Sequence, residues 1–186
     1  LRIKESLLFL HRFFGHPKRV GSVAPSSRFL AARMMEPIPW EQVQAVAELG
    51  SGTGAITRAI QANADSSTRI LLFEMDKRMR EYLKIQYPSF TCHTNARHLT
   101  VKMKQDHIDQ LDVVVSGLPF FNFTPDNREF LINQVLEALK PGGLFITYQY
   151  SLQMKRILAD KFIIEEIKYV PFNIPPAFVY VCRKKE

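Results

Sequence analysis

The residues that most clearly could do chemistry are Glu48-Leu49-Gly50-Ser51-Gly52-Thr53-Gly54. They lie between an apolar run, Val43–Leu49, and a helical pattern, Ala55–Ala62. Glycines at this junction let the backbone turn tightly and come close to a ligand. A dinucleotide loop would read Gly-x-Gly-x-x-Gly and seat a pyrophosphate on the helix N-terminus. Here the spacing is Gly-x-Gly-x-Gly, and an acid stands two residues before the first glycine. That acid favours a cationic ligand part, such as the amino group of a methionine moiety. Glu48, Gly50, Ser51, Gly52 and Gly54 are therefore candidate cofactor contacts. A bare glycine turn is a weak signal, but the strand, the helix and the acid around this one give it meaning.

A second acid, Glu74, ends the run Leu71-Leu72-Phe73-Glu74, 20 residues after Gly54. An acid at that point can accept hydrogen bonds from both ribose hydroxyls, and Met75 can lie against a nucleobase. Asp76 suits the N-cap of a helix starting at Lys77. A third cluster, Ser116-Gly117-Leu118-Pro119-Phe120, follows the valine-rich run Leu111–Ser116. Alone it reads as a turn closed by proline with a packed Phe. At the carboxyl end of a strand in an open α/β sheet it becomes a candidate reaction site. Tyr148 and Tyr150 are candidates to line the pocket for an acceptor, and they also suit core or rim positions. The five histidines form no evident pair.

The elements that must position these residues alternate. Strands are expected at Val43–Leu49, Arg69–Glu74, Phe90–His93, Leu111–Ser116 and Leu144–Tyr150, with helices at Ala55–Ala62, Lys77–Gln86 and Asp126–Leu139. Pro141-Gly142-Gly143 is expected to end the last helix. Alternation implies a mostly parallel sheet covered on both faces. Ile163–Val170 and Phe178–Arg183 add a hairpin, hence an antiparallel edge. Upstream, residues 3–14 have helical periodicity, with Ile3, Leu7, Leu10, Phe13 and Phe14 on one face. A second helix is expected from Ser26 or Ser27 to about Met35.

The length, 186 residues, suits one domain (1–186) with a full core, residues 1–35 being a basic helical extension. Cys92 and Cys182 lack metal-type spacing, so no zinc site or disulfide framework is expected, and the reading is a reducing, cytoplasmic compartment. The run Leu7–Leu10 is too short to span a bilayer, which takes ~20 residues. The net charge is +7, and residues 1–35 hold seven basic residues against Glu5 alone. Arg2, Lys4, Arg12, Lys18 and Arg19 thus point to an anionic surface, either lipid headgroups or a phosphate backbone. Each contributes about 1 kcal/mol near an anionic membrane before screening.

The glycine loop, Glu74 and Leu139-Lys140-Pro141-Gly142-Gly143 before a strand resemble class I S-adenosylmethionine-dependent methyltransferases. The resemblance implies a Rossmann-like fold, S-adenosylmethionine as cofactor with S-adenosylhomocysteine as product, and no metal. It places Asn95-Ala96 at the adenine, where an acid is commoner, and Ser116 at the cofactor's methyl. In adenine-N6 enzymes the loop after the fourth strand carries Asn or Asp, with an aromatic that stacks on the base. Gly117 replaces that side chain, while Leu118, Pro119 and Phe120 are kept. The stretch Phe13–Arg28, with Ser22, and the Ser-Gly-Leu-Pro loop further resemble bacterial peripheral phospholipid N-methyltransferases, relatives of ribosomal RNA adenine dimethylases. That resemblance implies stepwise methylation of phosphatidylethanolamine toward phosphatidylcholine by a protein peripherally associated with the inner membrane, and Ser22 at the cofactor. A monomer is expected, and nucleic acid is the disfavoured partner. An adenine methyltransferase, a small-molecule amine methyltransferase and a non-catalytic cofactor binder remain the competing readings.

Overall fold

The computed structural model describes residues 23–173 and 175–185. The helix expected at 3–14, Ser22 and the cations Arg2, Lys4, Arg12, Lys18 and Arg19 lie outside those residues. Within them the elements are α1 (Val23–Met35), β1 (Ala45–Leu49), α2 (Ala55–Asn63), β2 (Arg69–Phe73), α3 (Lys77–Gln86), β3 (Thr91–His93), α4 (Leu99–Gln105), β4 (Leu111–Ser116), α5 (Pro125–Ala138), β5 (Leu139–Gln149), α6 (Lys155–Lys161), β6 (Phe162–Val170) and β7 (Ala177–Lys184). The sheet has seven strands in the order β3-β2-β1-β4-β5-β7-β6. β1 to β5 run parallel, and β7 is antiparallel to both β5 and β6.

Side-chain alternation along the buried strands divides the core in two. Ala47, Leu49, Leu71, Phe73, Val114 and Phe145 pack against α4, α5 and α6 through Leu99, Met103, Leu131, Val135 and Leu158. Val46, Leu72, Val113, Val115 and Ile146 pack against α1, α2 and α3 through Leu30, Met34, Ile60 and Leu83. At the amino ends of the strands, Asp112 Oδ2 accepts from the backbone of Gln44 (2.8 Å) and Ala45 (2.9 Å) and pairs with Lys140, locking β1, β4 and β5 together.

The structure departs from the expected boundaries in a few places. α1 starts at Val23, with Pro25 in its first turn, where a missing N–H costs nothing. Leu139–Gly143 does not form a separate stop between helix and strand. Leu139 already pairs with Leu111, and the ladder shifts register before Val113 pairs with Leu144, so this segment is the bulged start of β5. Two short helices, α4 and α6, occupy segments for which no element was expected, their seven-residue lengths giving too little periodicity to read.

Candidate active site

All five parallel strands end at one edge of the sheet, and the singled-out residues gather there. Gly50 N and Ser51 N both donate to Phe73 O (2.8 and 3.2 Å), which draws the glycine loop onto the end of β2. Gly50 has φ +77, and a Cβ on it would stand 2.8 Å from Leu118 Cδ2. Glycine is thus required twice over, by the left-handed backbone and by contact with the loop after β4. At Gly52, φ is +54 and a Cβ would meet nothing within 4 Å, so this backbone faces open space.

Glu74 lies across that space. Its Oε2 accepts from Gly52 N at 2.7 Å and its Oε1 from Asp76 N at 2.8 Å. Each carboxylate oxygen has a further lone pair to offer. Asp76 caps α3 by accepting from Met79 N, as expected. Met75 is 57% exposed, an apolar side chain held out at the strand end. Next along the edge, Asn95 accepts from Arg97 N with Oδ1 and starts a short 3-10 turn, Ala96–His98. Ala96 is buried against the α4 side of the core.

Glu48 points the other way from the sheet, onto α2. It is 0% exposed, and its Oε2 accepts from Thr57 Oγ1 at 2.6 Å. Burial drives its pKa up to about 7, with the Thr57 hydroxyl pulling back and the Glu74 charge pushing further up. Among the described residues, Glu48 Oε1 and Ser51 Oγ are buried and neither makes a well-formed hydrogen bond, although the Ser51 hydroxyl lies close enough to Glu48 to favour its charged form. Unpaired buried polar atoms are costly. Two of them side by side beneath a glycine loop fit a cationic, hydrogen-bonding group arriving from outside.

Ser116 is buried, and its Oγ accepts from Leu118 N at 3.1 Å. Gly117 N donates to Leu49 O at 2.9 Å, so the loops after β1 and β4 touch. A Cβ at Gly117 would come 3.2 Å from Gly50 O and 3.8 Å from Tyr148 Cε1. The tyrosine ring and the loop carbonyl therefore border the place where an Asn or Asp side chain would begin. Leu118 O accepts from the buried Gln149 Nε2 at 3.0 Å.

Phe120 does not line the site. It is fully buried, edge-on to Phe123 and Phe145 at 6.2 and 5.9 Å, because Pro119 turns the chain inward into the α4–α6 side of the core. The packed-Phe alternative holds at this position. Phe121 is the exposed aromatic of the loop, and Arg128 secures the segment by donating to the carbonyls of Phe120, Phe121 and Phe123.

Tyr148 and Tyr150 meet edge to face at 5.8 Å and share a hydrogen bond between hydroxyls. Burial holds both phenols protonated above their usual range. Neither is a base near neutral pH, although each can orient an amine. Tyr150 also bonds Asn173, in the turn between β6 and β7. Thr57, Gln149, Arg128 and Asn173 were not foreseen as site residues, since each acts through a fold contact that no local pattern announces. Among the described residues no cluster of three or more metal-ligating side chains exists.

Comparison with known proteins places this arrangement in context. A methyltransferase domain family matches residues 46–143. An ornithine lipid N-methyltransferase from Singulisphaera acidiphila is 33% identical over 97% of this chain and 97% of its own length. Among solved structures, a 1,6-didemethyltoxoflavin-N1-methyltransferase from Burkholderia thailandensis, with its substrate and S-adenosylhomocysteine bound, superposes with a TM-score of 0.73 at 13% identity, covering 97% of this chain and 87% of that one. The N-methyltransferase NodS from Bradyrhizobium japonicum, in complex with S-adenosylhomocysteine, gives 0.69 at 12% identity and 86% of each chain.

Proposed function

Since the chain belongs to the class I S-adenosylmethionine-dependent methyltransferases, we propose that it methylates the primary amine of a membrane-lipid headgroup, with phosphatidylethanolamine as the acceptor to test first. End-to-end similarity to a lipid N-methyltransferase carries this reading. The glycine at position 117 supports it, because the loop lacks the carboxamide or carboxylate that grips the amine of a base.

In this assignment Glu74 accepts from the ribose hydroxyls, Met75 lies on the adenine, and the Asn95 amide faces its edge. Glu48 lies under, and Ser51 within, the loop that receives the amino-acid end. When bound, the cofactor supplies a methyl carbon activated by a sulfonium. The chain's task is to hold the acceptor nitrogen in line with that carbon and keep water out. An ammonium headgroup has to lose its proton first, and the apolar surroundings of Leu118 and Tyr148 disfavour the cation. The proton then leaves to solvent without a strong base, consistent with two tyrosines that stay protonated.

Residues 1–22, with five basic side chains and one acid, are assigned to the anionic bilayer surface. Among the described residues no helix is long and apolar enough to cross a membrane. The test is incubation with methyl-labelled S-adenosylmethionine and vesicles containing phosphatidylethanolamine or an ornithine lipid, followed by lipid extraction. Label in a methylated headgroup supports the proposal and identifies the acceptor. Cofactor binding without lipid label in either case overturns it.

A further inference from the structure

The surface beside the acceptor end of the cleft has an unusual concentration of exposed rings. The turn between β6 and β7 lies at the edge where the parallel strands end, because β5 Gln149 pairs with β7 Phe178, and Val170 pairs with Ala177 just before the turn. Phe172, on that turn, is 73% exposed. Its ring is 6.1 Å from that of Phe29 on α1, itself 57% exposed. Tyr169 is also exposed, against Phe178 at 5.2 Å. Large apolar side chains that touch each other and still face solvent are not completing a core.

The described residues of the turn are constrained. Pro171, Pro175 and Pro176 restrict its backbone. Asn173 is buried, with its N–H donating to Val170 O (3.4 Å) and its Nδ2 donating to Pro175 O (2.7 Å). Through its bond to Tyr150, the same asparagine ties the turn to the tyrosine pair beside Gly117. Asn173 thus links the residue next to Phe172 directly to the acceptor pocket.

Charge decides among the apolar partners such a patch could take. Phe29 follows Arg28, which is exposed, and α1 begins where the basic stretch 1–22 ends. Exposed rings with an exposed arginine beside one of them suit the headgroup boundary of an anionic bilayer, where aromatic bodies enter the apolar zone and Lys or Arg stay with the phosphates.

We propose that Phe172, at the tip of the β6–β7 turn, and Phe29, on α1, form a membrane contact that sets the acceptor end of the cleft against an anionic bilayer. This rests on the lipid-methyltransferase reading and adds a second anchor to the one assigned to residues 1–22. Both side chains are exposed, so Phe29→Ser combined with Phe172→Ser leaves the core untouched.

The test compares this double variant with wild type in the full chain. Binding is measured by co-sedimentation with vesicles of phosphatidylglycerol and phosphatidylethanolamine. Cofactor affinity is measured by calorimetry. Turnover is measured on those vesicles and on a short-chain phosphatidylethanolamine held below its micelle concentration. The expected result is vesicle binding weakened by about tenfold or more and a raised KM on vesicles, with cofactor affinity and turnover of the dispersed lipid unchanged. Vesicle binding equal to wild type overturns the inference. So does a change confined to oligomeric state, which would make the patch a contact between copies. A wild-type protein that methylates neither form of lipid defeats the underlying functional reading instead, and that outcome is read without the variant.

Discussion

Glu74 reaches across from the end of β2 to hold Gly52 N at 2.7 Å, so the glycine loop and the second acid are one unit before any ligand arrives. The residue proposed to receive ribose also sets the shape of the loop that receives the rest of the cofactor. Replacing Glu74 with Gln keeps a hydrogen-bonding oxygen but removes the charge. With Ala both are lost. The Ala variant is expected to weaken cofactor binding by about 2–3 kcal/mol, roughly 30- to 150-fold, and the Gln variant by less. Calorimetric titration with S-adenosylhomocysteine checks this, and wild-type affinity in Glu74→Ala would remove Glu74 from the site.

Glu48 predicts a pH dependence with a definite sign. Its folded pKa is raised to about 7 from an ordinary 4.5, so between those values the folded protein holds a proton that the unfolded chain releases. Ligand-free stability therefore declines as pH rises from 4.5 to 7 on account of this group, and levels off above. A cation bound nearby lowers the pKa, so cofactor affinity should strengthen as pH rises from 6 to 8. Glu48→Gln is expected to flatten both trends and to be the more stable protein at pH 8 without ligand. Thermal melts and titrations across that range decide it.

Gly117 should be intolerant of even one carbon. A Cβ there meets Gly50 O at 3.2 Å, so Gly117→Ala presses on the glycine loop beside the proposed acceptor position. Turnover is expected to fall by about tenfold or more, the consequence of a small displacement at the reacting atoms. Cofactor affinity should change less, since Glu74 keeps its hold on Gly52 N. A steady-state comparison of kcat with cofactor affinity separates the two effects.

Tyr148→Phe removes a hydroxyl whose proton stays on well above neutral pH. If it orients the amine, kcat falls by about tenfold or less while the pH–rate profile keeps its shape. A limb of the profile that disappears in the variant would show Tyr148 titrating during turnover.

Asp112 is expected to be structural. Burial opposes its charge, but Lys140 and the backbone donors Gln44 and Ala45 outweigh that and hold its carboxyl below the usual range. Its stabilising effect is present at neutral pH and is lost as pH falls below about 3.8, the ordinary aspartate value. Asp112→Asn should lower unfolding stability by about 1–3 kcal/mol at pH 7 with cofactor affinity unchanged. Denaturant unfolding at pH 7 checks the first part.

Much of this was legible in the sequence, for identifiable reasons. Buried parallel strands need unbroken apolar runs, and Leu111–Ser116 announces itself that way. The hairpin at the end, and with it the antiparallel edge, follows from two β-rich runs around an Asn and two prolines. Glu48 and Glu74 stand out as acids at the ends of apolar strands. What could not be read is tertiary. Nothing in the spacing from Glu48 to Thr57 says that they meet. Phe120 and Phe121 are identical as letters, and only the turn at Pro119 sends the first into the core and leaves the second outside. β7 finishing between β5 and β6, rather than beyond them, is likewise a choice made by packing.

That placement of β7 gives the molecule an order of assembly. β1 to β4, with the glycine loop, Glu74 and Asn95, are contiguous within residues 45–116, so the cofactor half can close on local contacts. The other half has to wait for residues 177–184, which supply ladders to β5 and β6 together. On the ribosome, where the chain emerges from its amino end, a nucleoside-binding platform can be complete before the wall that carries Tyr150 and Phe172 exists. The wall beside the proposed acceptor pocket is therefore the later of the two halves to form.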